Sequence, residues 1–475
     1  MMDATDSKIR FKVPADSLVL VGSLDVSGAA HSLLISTNSD EPRLACGGPS
    51  SHGVVDLEYI DMASCSDPGR RFQQLKSCSP ASAVTDKTMT AERRISIRAL
   101  VDEPARRFLV PHFEFDQIVQ QPCEAVPLVE GSRVKVYFDP GLFGNSDVQQ
   151  HRNLSEEAIR VCTTIESDVL PLIESWIGLI TDLDADQRLS VVLTDLDRRE
   201  SSSDTPVLGC VRRGDFSADN QNSLAGDIVY LDRHLPQGEQ LRALLAHELT
   251  HAAVFCICHE ATHDSPLKNH SVPSWLNEAA AHWVEGQFCS TPAGYAAREI
   301  AFRQNPSQCP IMMRDDDNHS PARRTGSRVA GLTFLQQHIT DVHELRTILE
   351  QCTPFEQSIS RIAESSFSQL FRQWTIGQAC ADHNESLPGN SVITGGSLNT
   401  ADDRPARYRL HGTAFLILRS DFEKSVTIEA RGDAQLQITV LHQANLLNTQ
   451  HPRDILTAER LQTADLGSLS NPGIR

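Results

Sequence analysis

From His247 to His263 the chain reads HELTHAAVFCICHEATH, which carries the pentapeptide His-Glu-x-x-His twice, as HELTH at 247–251 and HEATH at 259–263. On an α-helix, histidines four residues apart lie about 40° apart around the axis. Their rings then converge on one point with the intervening glutamate beside them. The pattern has chemical meaning only if the segment is helical and is held rigidly against a core. That requirement separates the two copies.

Leu241, Leu244, Leu245, Leu249 and Ala252 surround the first copy and predict an amphipathic helix with a face to bury. The second copy follows Cys256-Ile257-Cys258, is closed by Asp264, Ser265 and Pro266, and has few apolar neighbours. It predicts a fraying helix end or a polar loop. Were one helix to carry both, the second set would be turned by about 120° and displaced by about 18 Å, so the copies cannot share an ion.

A catalytic metal of this kind takes three protein ligands and keeps one position for water. Glu278, in WLNEAAAHWVEG, is predicted to lie on a further helix. The connection from His251 is long enough for the chain to turn and lay a second helix alongside the first. The connection from His263 is much shorter and holds Pro266 and Pro273. A third histidine in the pattern His-Glu-x-x-His-x-x-Gly-x-x-His is missing from both copies. Val254 and Ile257 stand in its Gly and His positions for the first copy, and Pro266 and Asn269 for the second.

The succession DIVYLD (227–232), AHELTH (246–251) and PSWLNEAAAHWVE (273–285) resembles the gluzincin zinc metallopeptidases, in particular the peptidase MA-like group. The likeness extends over about residues 133–380 and is strongest at 225–286. It implies His247 and His251 as zinc ligands, Glu278 as the third ligand, and Glu248 as general base. It further implies Zn2+ as cofactor, a peptide or protein substrate held by strand addition along DIVYLD, and peptide-bond hydrolysis. Glu285, two helical turns after Glu278, becomes a candidate for orienting a ligand histidine. In many members a downstream Tyr or His stabilises the oxyanion. The segment RVAGLTFLQQHI (328–339) contains no Tyr, which leaves Arg328, His338 and His282 as candidates. Trp275 and Trp283 read as core residues. The opposing functional expectation is a degenerate peptidase core serving as an extracellular binding module.

The remaining chain sets the domain plan. A length of 475 residues exceeds one ordinary core, and 40% apolar residues suffice for packed ones. Alternating runs such as SLVLVGSL (17–24) and RRFLVPHFEF (106–115) predict a β-rich N-terminal domain over 1–130. RVKVYFD (133–139), RLSVVLTDL (188–196) and DIVYLD predict strands, and 155–170 and most of 236–380 predict helices, with a polar loop at 315–327. FLILRSD, SVTIEARG and LQITVLHQ return to β and predict a C-terminal sandwich-like module over 395–475. The expected fold class is therefore α+β: a zincin-like catalytic domain of small mixed sheet plus helices over 131–387, flanked by two β-rich domains.

The formal net charge of −19 argues against nucleic acid as a partner. No apolar run of the roughly 20 residues a bilayer span requires is apparent, so no integral membrane segment is expected. The start lacks a signal-peptide pattern, whereas the C-terminal module suits a secreted or cell-envelope setting. Twelve cysteines are compatible with disulfides and equally with scattered buried thiols. Cys256 and Cys258 have poor spacing for a structural metal site with His259 and His263.

Overall fold

The computed structural model describes residues 7–38, 55–61, 98–99, 103–114, 117–142, 148–198, 206–216, 226–264, 271–292, 294–314, 321–351, 353–384, 396–398, 405–430 and 435–442. Helix and sheet are mixed throughout, an α+β chain. It divides into two compact units. One comprises Met1–Arg70, Arg303–Pro310 and Phe371–Arg475; the other comprises Arg71–Phe302 and Ile311–Leu370.

The first unit joins strands from both ends of the sequence. They are β1 (Ser7–Val13), β2 (Ser17–Ser23), β3 (Ala30–Asn38) and β4 (Val55–Asp61), and β12 (Gly396–Ser397), β13 (Ala406–His411), β14 (Phe415–Ser420), β15 (Lys424–Ala430) and β16 (Leu436–His442). One sheet runs β1-β15-β3-β13 and the other β12-β14-β2-β16-β4. Alternate residues of both sheets form one core. Phe11, Val19, Val21, Leu33 and Ile35 meet Leu416, Leu418, Val426, Ile428, Ile438 and Val440 in it.

The expected division into 1–130, 131–387 and 395–475 is therefore corrected. The C-terminal strands are not a module of their own, because β16 lies between β2 and β4 and β15 between β1 and β3. Neither set of strands alone covers its apolar face. Period-two alternation reveals a half-buried strand but not its partner.

The second unit takes the rest of the expected N-terminal domain. β5 (Arg98–Ala99), β6 (Arg106–Glu114) and β7 (Gln117–Glu130) precede β8 (Val134–Phe138), β9 (Leu189–Thr194), β10 (Gly209–Val211) and β11 (Ile228–Asp232). The sheet order is β10-β11-β9-β8-β7-β5, with β8, β9 and β11 parallel and β10 antiparallel at the edge. β6 pairs with β7 alone. Its Phe108 and Val110 pack with Tyr137, Val192 and Tyr230, so the hairpin covers one face of the sheet. DIVYLD, expected at the edge, is an inner strand. Among the described residues the edge on that side is β10, whose Gly-Cys-Val is too short to display a period.

Helices cover the other face. α1 (Val148–Thr164) passes through one π-turn, Ile165–Val169, into α2 (Leu170–Trp176), whose first turn holds Pro171. α3 (Glu239–Asp264) packs on the sheet as α1 does, and α4 (Ser274–Phe288), α5 (Tyr295–Gln304), α6 (Pro321–His338), α7 (Val342–Glu350) and α8 (Phe355–Ile362) follow it. Then comes α9 (Phe367–Asn384), of which Phe371 onward belongs to the first unit. Residues 321–327, expected in a loop, are helical because Pro321 opens α6, where its missing N–H costs nothing.

α3 is a central helix and not a one-faced one. Leu241, Ala243, Leu245, Ala246, Leu249, Ala252, Ala253 and Val254 are all buried and spread over more than half of its circumference, and the remaining sector holds the buried Glu248 and His251. By length and composition its Glu239–His259 stretch is apolar enough to cross a membrane, yet most of it is enclosed by protein. That enclosure accounts for its apolarity. It also carries the helix on through HEATH to Asp264, so the second copy is helical and not a loop. Among the described residues the cysteines are thiols, not disulfides.

Candidate metal centre

α3 and α4 pack side by side, and their facing surfaces carry the histidines and carboxylates singled out in the sequence. Pro273 precedes the first turn of α4 with φ −57° and ψ 146°, a geometry that proline favours and that starts the helix cleanly. Trp275, Leu276, Ala279, Ala280 and Val284 bury α4 in the core, and Trp275 stacks edge-on against Phe355 at 4.8 Å. Trp283 is likewise a core residue.

The Nε2 atoms of His247 and His251 stand 3.1 Å apart, and Glu278 Oε1 lies 4.0 Å from His251 Nε2. One donor atom from each of the three falls within 4.8 Å of the others. Nitrogen ligands at 2.0–2.1 Å in tetrahedral geometry stand about 3.3 Å apart, so the histidine pair has the spacing of two ligands on one ion. Glu278 Oε2 is buried with no hydrogen-bond partner. Buried polar atoms are rarely left so, and a cation beside this carboxylate would satisfy it. The donor set thus fits a divalent ion that accepts nitrogen and oxygen.

The surroundings fix how these donors present themselves. His251 Nδ1 donates to Asn277 Oδ1 at 2.9 Å, which turns the Nε2 lone pair toward Glu278. His247 Nδ1 is 3.4 Å from Glu285 Oε2, within ion-pair distance but not aligned as a hydrogen bond, so Glu285 neighbours the histidine it was expected to orient. The same oxygen accepts from His282 Nδ1 at 2.6 Å and lies 3.8 Å from Arg298 of α5. His247, His282 and Glu285 also form a group with metal-ligand types. Two ligands 2.6 Å apart would subtend only about 80° at an ion with 2.0 Å bonds. A hydrogen bond explains that contact better, and Arg298 supplies the positive charge.

Charge states follow from burial and neighbours. Burial, with His247 alongside, lowers His251 to about 4, and burial lowers His282 to about 3. Both are neutral imidazoles at neutral pH, the form that binds metal. Burial also pulls His247 down, but Glu285 outweighs it and raises the ring above its usual value. Burial pushes Glu278 up, but Arg328 and the histidines hold it well below the carboxylate range.

Glu248 is only 4% exposed, and burial raises it to about 7 against the opposing pull of His247. Its carboxylate packs against the edge strand at Gly209, where a Cβ would stand 2.5 Å from Oε1. The glycine is what lets β10 lie so close to this side chain.

The other sequence candidates separate clearly. His259 lies on α3 twelve residues beyond His247, turned by about 120° and about 18 Å along the axis. The side chains of Glu260 and His263 fall outside the described residues. Cys258 Sγ accepts from Val272 N at 3.5 Å and Cys256 Sγ from Thr181 N at 3.3 Å, both in the packing around α3. His338 Nε2 bonds the Leu370 carbonyl at 3.0 Å. Arg328 and His282 do reach Glu278, at 3.4 and 3.8 Å. Asn277 and Gly209 went unrecognised in the sequence. Asn277 is the sequence neighbour of Glu278, whereas nothing local marks Gly209. A separate acidic group, Asp182, Asp184 and Asp227, lies near Arg106, which pairs with Asp184.

No family model matches the chain, and no curated protein matches it significantly.

Proposed function

We propose that this protein is a zinc-dependent peptidase of gluzincin type, with a zincin-like second unit. The convergence of His247, His251 and Glu278 beside a buried Glu248 carries the reading. Support also comes from the sheet, whose antiparallel edge strand β10 runs beside the helix that bears Glu248. His247 and His251 would hold the ion through Nε2 and Glu278 through its carboxylate. Bound there, zinc would bring a coordinated water toward a pKa of about 7 and polarise a substrate carbonyl.

The chain's own groups do the rest. β10 offers its outer backbone edge to an extended peptide, in place of the inner strand DIVYLD. Glu248 takes the proton of the attacking water and delivers it to the departing amine. A carboxyl near pH 7 is suited to both transfers. Glu285 and Asn277 keep the ligand rings in orientation.

Two measurements on the purified protein test this reading. Elemental analysis should find close to one zinc per chain, and an unfolded casein substrate should be cleaved. Glu248→Gln should keep the zinc and lose about 100-fold or more in turnover. A zinc-free protein, or undiminished cleavage by Glu248→Gln, defeats the proposal. Zinc without cleavage by the wild type would favour a binding module.

A further inference from the structure

An acyl-transfer site needs a donor aimed at the oxygen on which negative charge develops. The histidines considered for that task do not suit it: His338 bonds a backbone carbonyl, and buried His282 gives its Nδ1 proton to Glu285, so its Nε2, which has no hydrogen-bond partner, holds no proton to donate. Arg298 is drawn toward Glu285. Arg328 differs from all three. Its Nη2 is 3.4 Å from Glu278 Oε1, yet its side chain remains 43% exposed. A guanidinium has five N–H donors in a fixed fork, so one contact to Glu278 leaves others to offer.

The backbone brings this arginine to the site. Arg328 and Gly331 lie three apart on α6 and so share a face. A Cβ at Gly331 would stand 3.3 Å from Ala279 Cβ and 3.6 Å from the Trp275 ring, so the glycine permits close packing of α6 on α4. That packing sets Arg328 opposite Glu278.

We propose that Arg328 is a catalytic residue that donates to the oxygen of the scissile carbonyl, an inference that rests on the peptidase reading. As the water oxygen forms its bond to the carbonyl carbon, the C=O π pair moves onto that oxygen and Arg328 N–H groups meet it. When the pair re-forms the carbonyl, the C–N bond breaks and the proton held by Glu248 passes to the nitrogen. Arg328 gives up no proton in either step.

The test uses the full-length protein and a fluorogenic peptide blocked at both ends, which removes any terminal carboxylate the arginine could bind. Arg328→Ala should retain one zinc and its melting temperature, and lose about 100-fold in kcat with KM little changed. Arg328→Lys should recover part of that loss. Binding of a phosphonate analogue of the peptide, measured by calorimetry, should weaken in Arg328→Ala by a similar factor, while the uncleaved amide analogue binds as before. Unchanged kcat and phosphonate affinity would overturn the assignment while leaving the peptidase reading intact. A loss in KM alone would make Arg328 a substrate anchor, and loss of zinc would make it a support for Glu278; either result overturns the proposal. A wild type that neither binds zinc nor cleaves overturns the peptidase reading, and this assignment with it.

Discussion

His251 Nδ1 lies 2.9 Å from Asn277 Oδ1, and Asn277 immediately precedes Glu278. The amide oxygen can only accept, so the proton sits on Nδ1 and the lone pair on Nε2. One turn of α4 thus places the Glu278 carboxylate and also sets the tautomer of His251 on α3. Asn277→Ala should weaken zinc binding by about 10–100-fold, measured by competition with a chromogenic chelator. Asn277→Asp, which keeps an acceptor, should retain most of the affinity; equal affinities in wild type and Asn277→Ala would remove this role.

The doubled motif allows an internal control. His251→Ala should abolish stoichiometric zinc, whereas His259→Ala should keep it, because His259 projects about 120° away and about 18 Å along α3. Metal analysis of the two purified variants decides the matter. Zinc lost from His259→Ala alone would reverse the assignment of the copies.

Gly209 has no room for a side chain beside Glu248. Gly209→Val should lower stability by about 1–3 kcal/mol through overpacking. It should also reduce kcat by at least about 10-fold while leaving zinc in place, since a misplaced base loses its geometry. Chemical denaturation and steady-state kinetics on one preparation would read both effects. Full activity in the valine variant would show that Glu248 does not depend on the closeness of β10.

Asp227 gives a pH dependence remote from the histidines. Burial, helped by Asp184 and Asp182, raises its carboxyl to about 8, against about 3.9 for an unfolded chain. Between those values the native state binds a proton that the unfolded state lacks, so this group's contribution to stability falls as pH rises through the window. Asp227→Asn removes that term. The variant should melt higher than wild type at pH 8 and show a shallower decline between pH 5 and 8. Parallel melting curves for the two proteins would refute the assignment.

Local order was easy to read in this chain, and long-range order was not. β8, β9 and β11 fall where the β-branched runs place them, within two residues at each end. Glu278 reaches the histidines of HELTH because the connection is long enough for two helices to lie alongside each other. Glu285 meets His247 because residues seven apart share a helix face. The misreadings have a common source in tertiary context. HEATH looked like a helix exit because its polar residues lack an apolar face, yet the buried stretch before it carries the helix onward. β10 spans three residues and is defined only by its pairing with β11. Arg328 could be nominated from sequence, but its distance from Glu278 depends on the helix packing that Gly331 permits.

The interleaving of β2 between β14 and β16 carries a consequence for how the chain is made. During synthesis β1–β4 leave the ribosome long before their partners β13–β16 are made. The residues of the second unit emerge in between and can complete their own sheet first. Until β14–β16 arrive, the apolar faces of the early strands stay exposed and their edges unpaired, a state prone to aggregation. A shortened chain ending before residue 396 would therefore not be a trimmed protein, but one with half a sandwich permanently waiting for the other half.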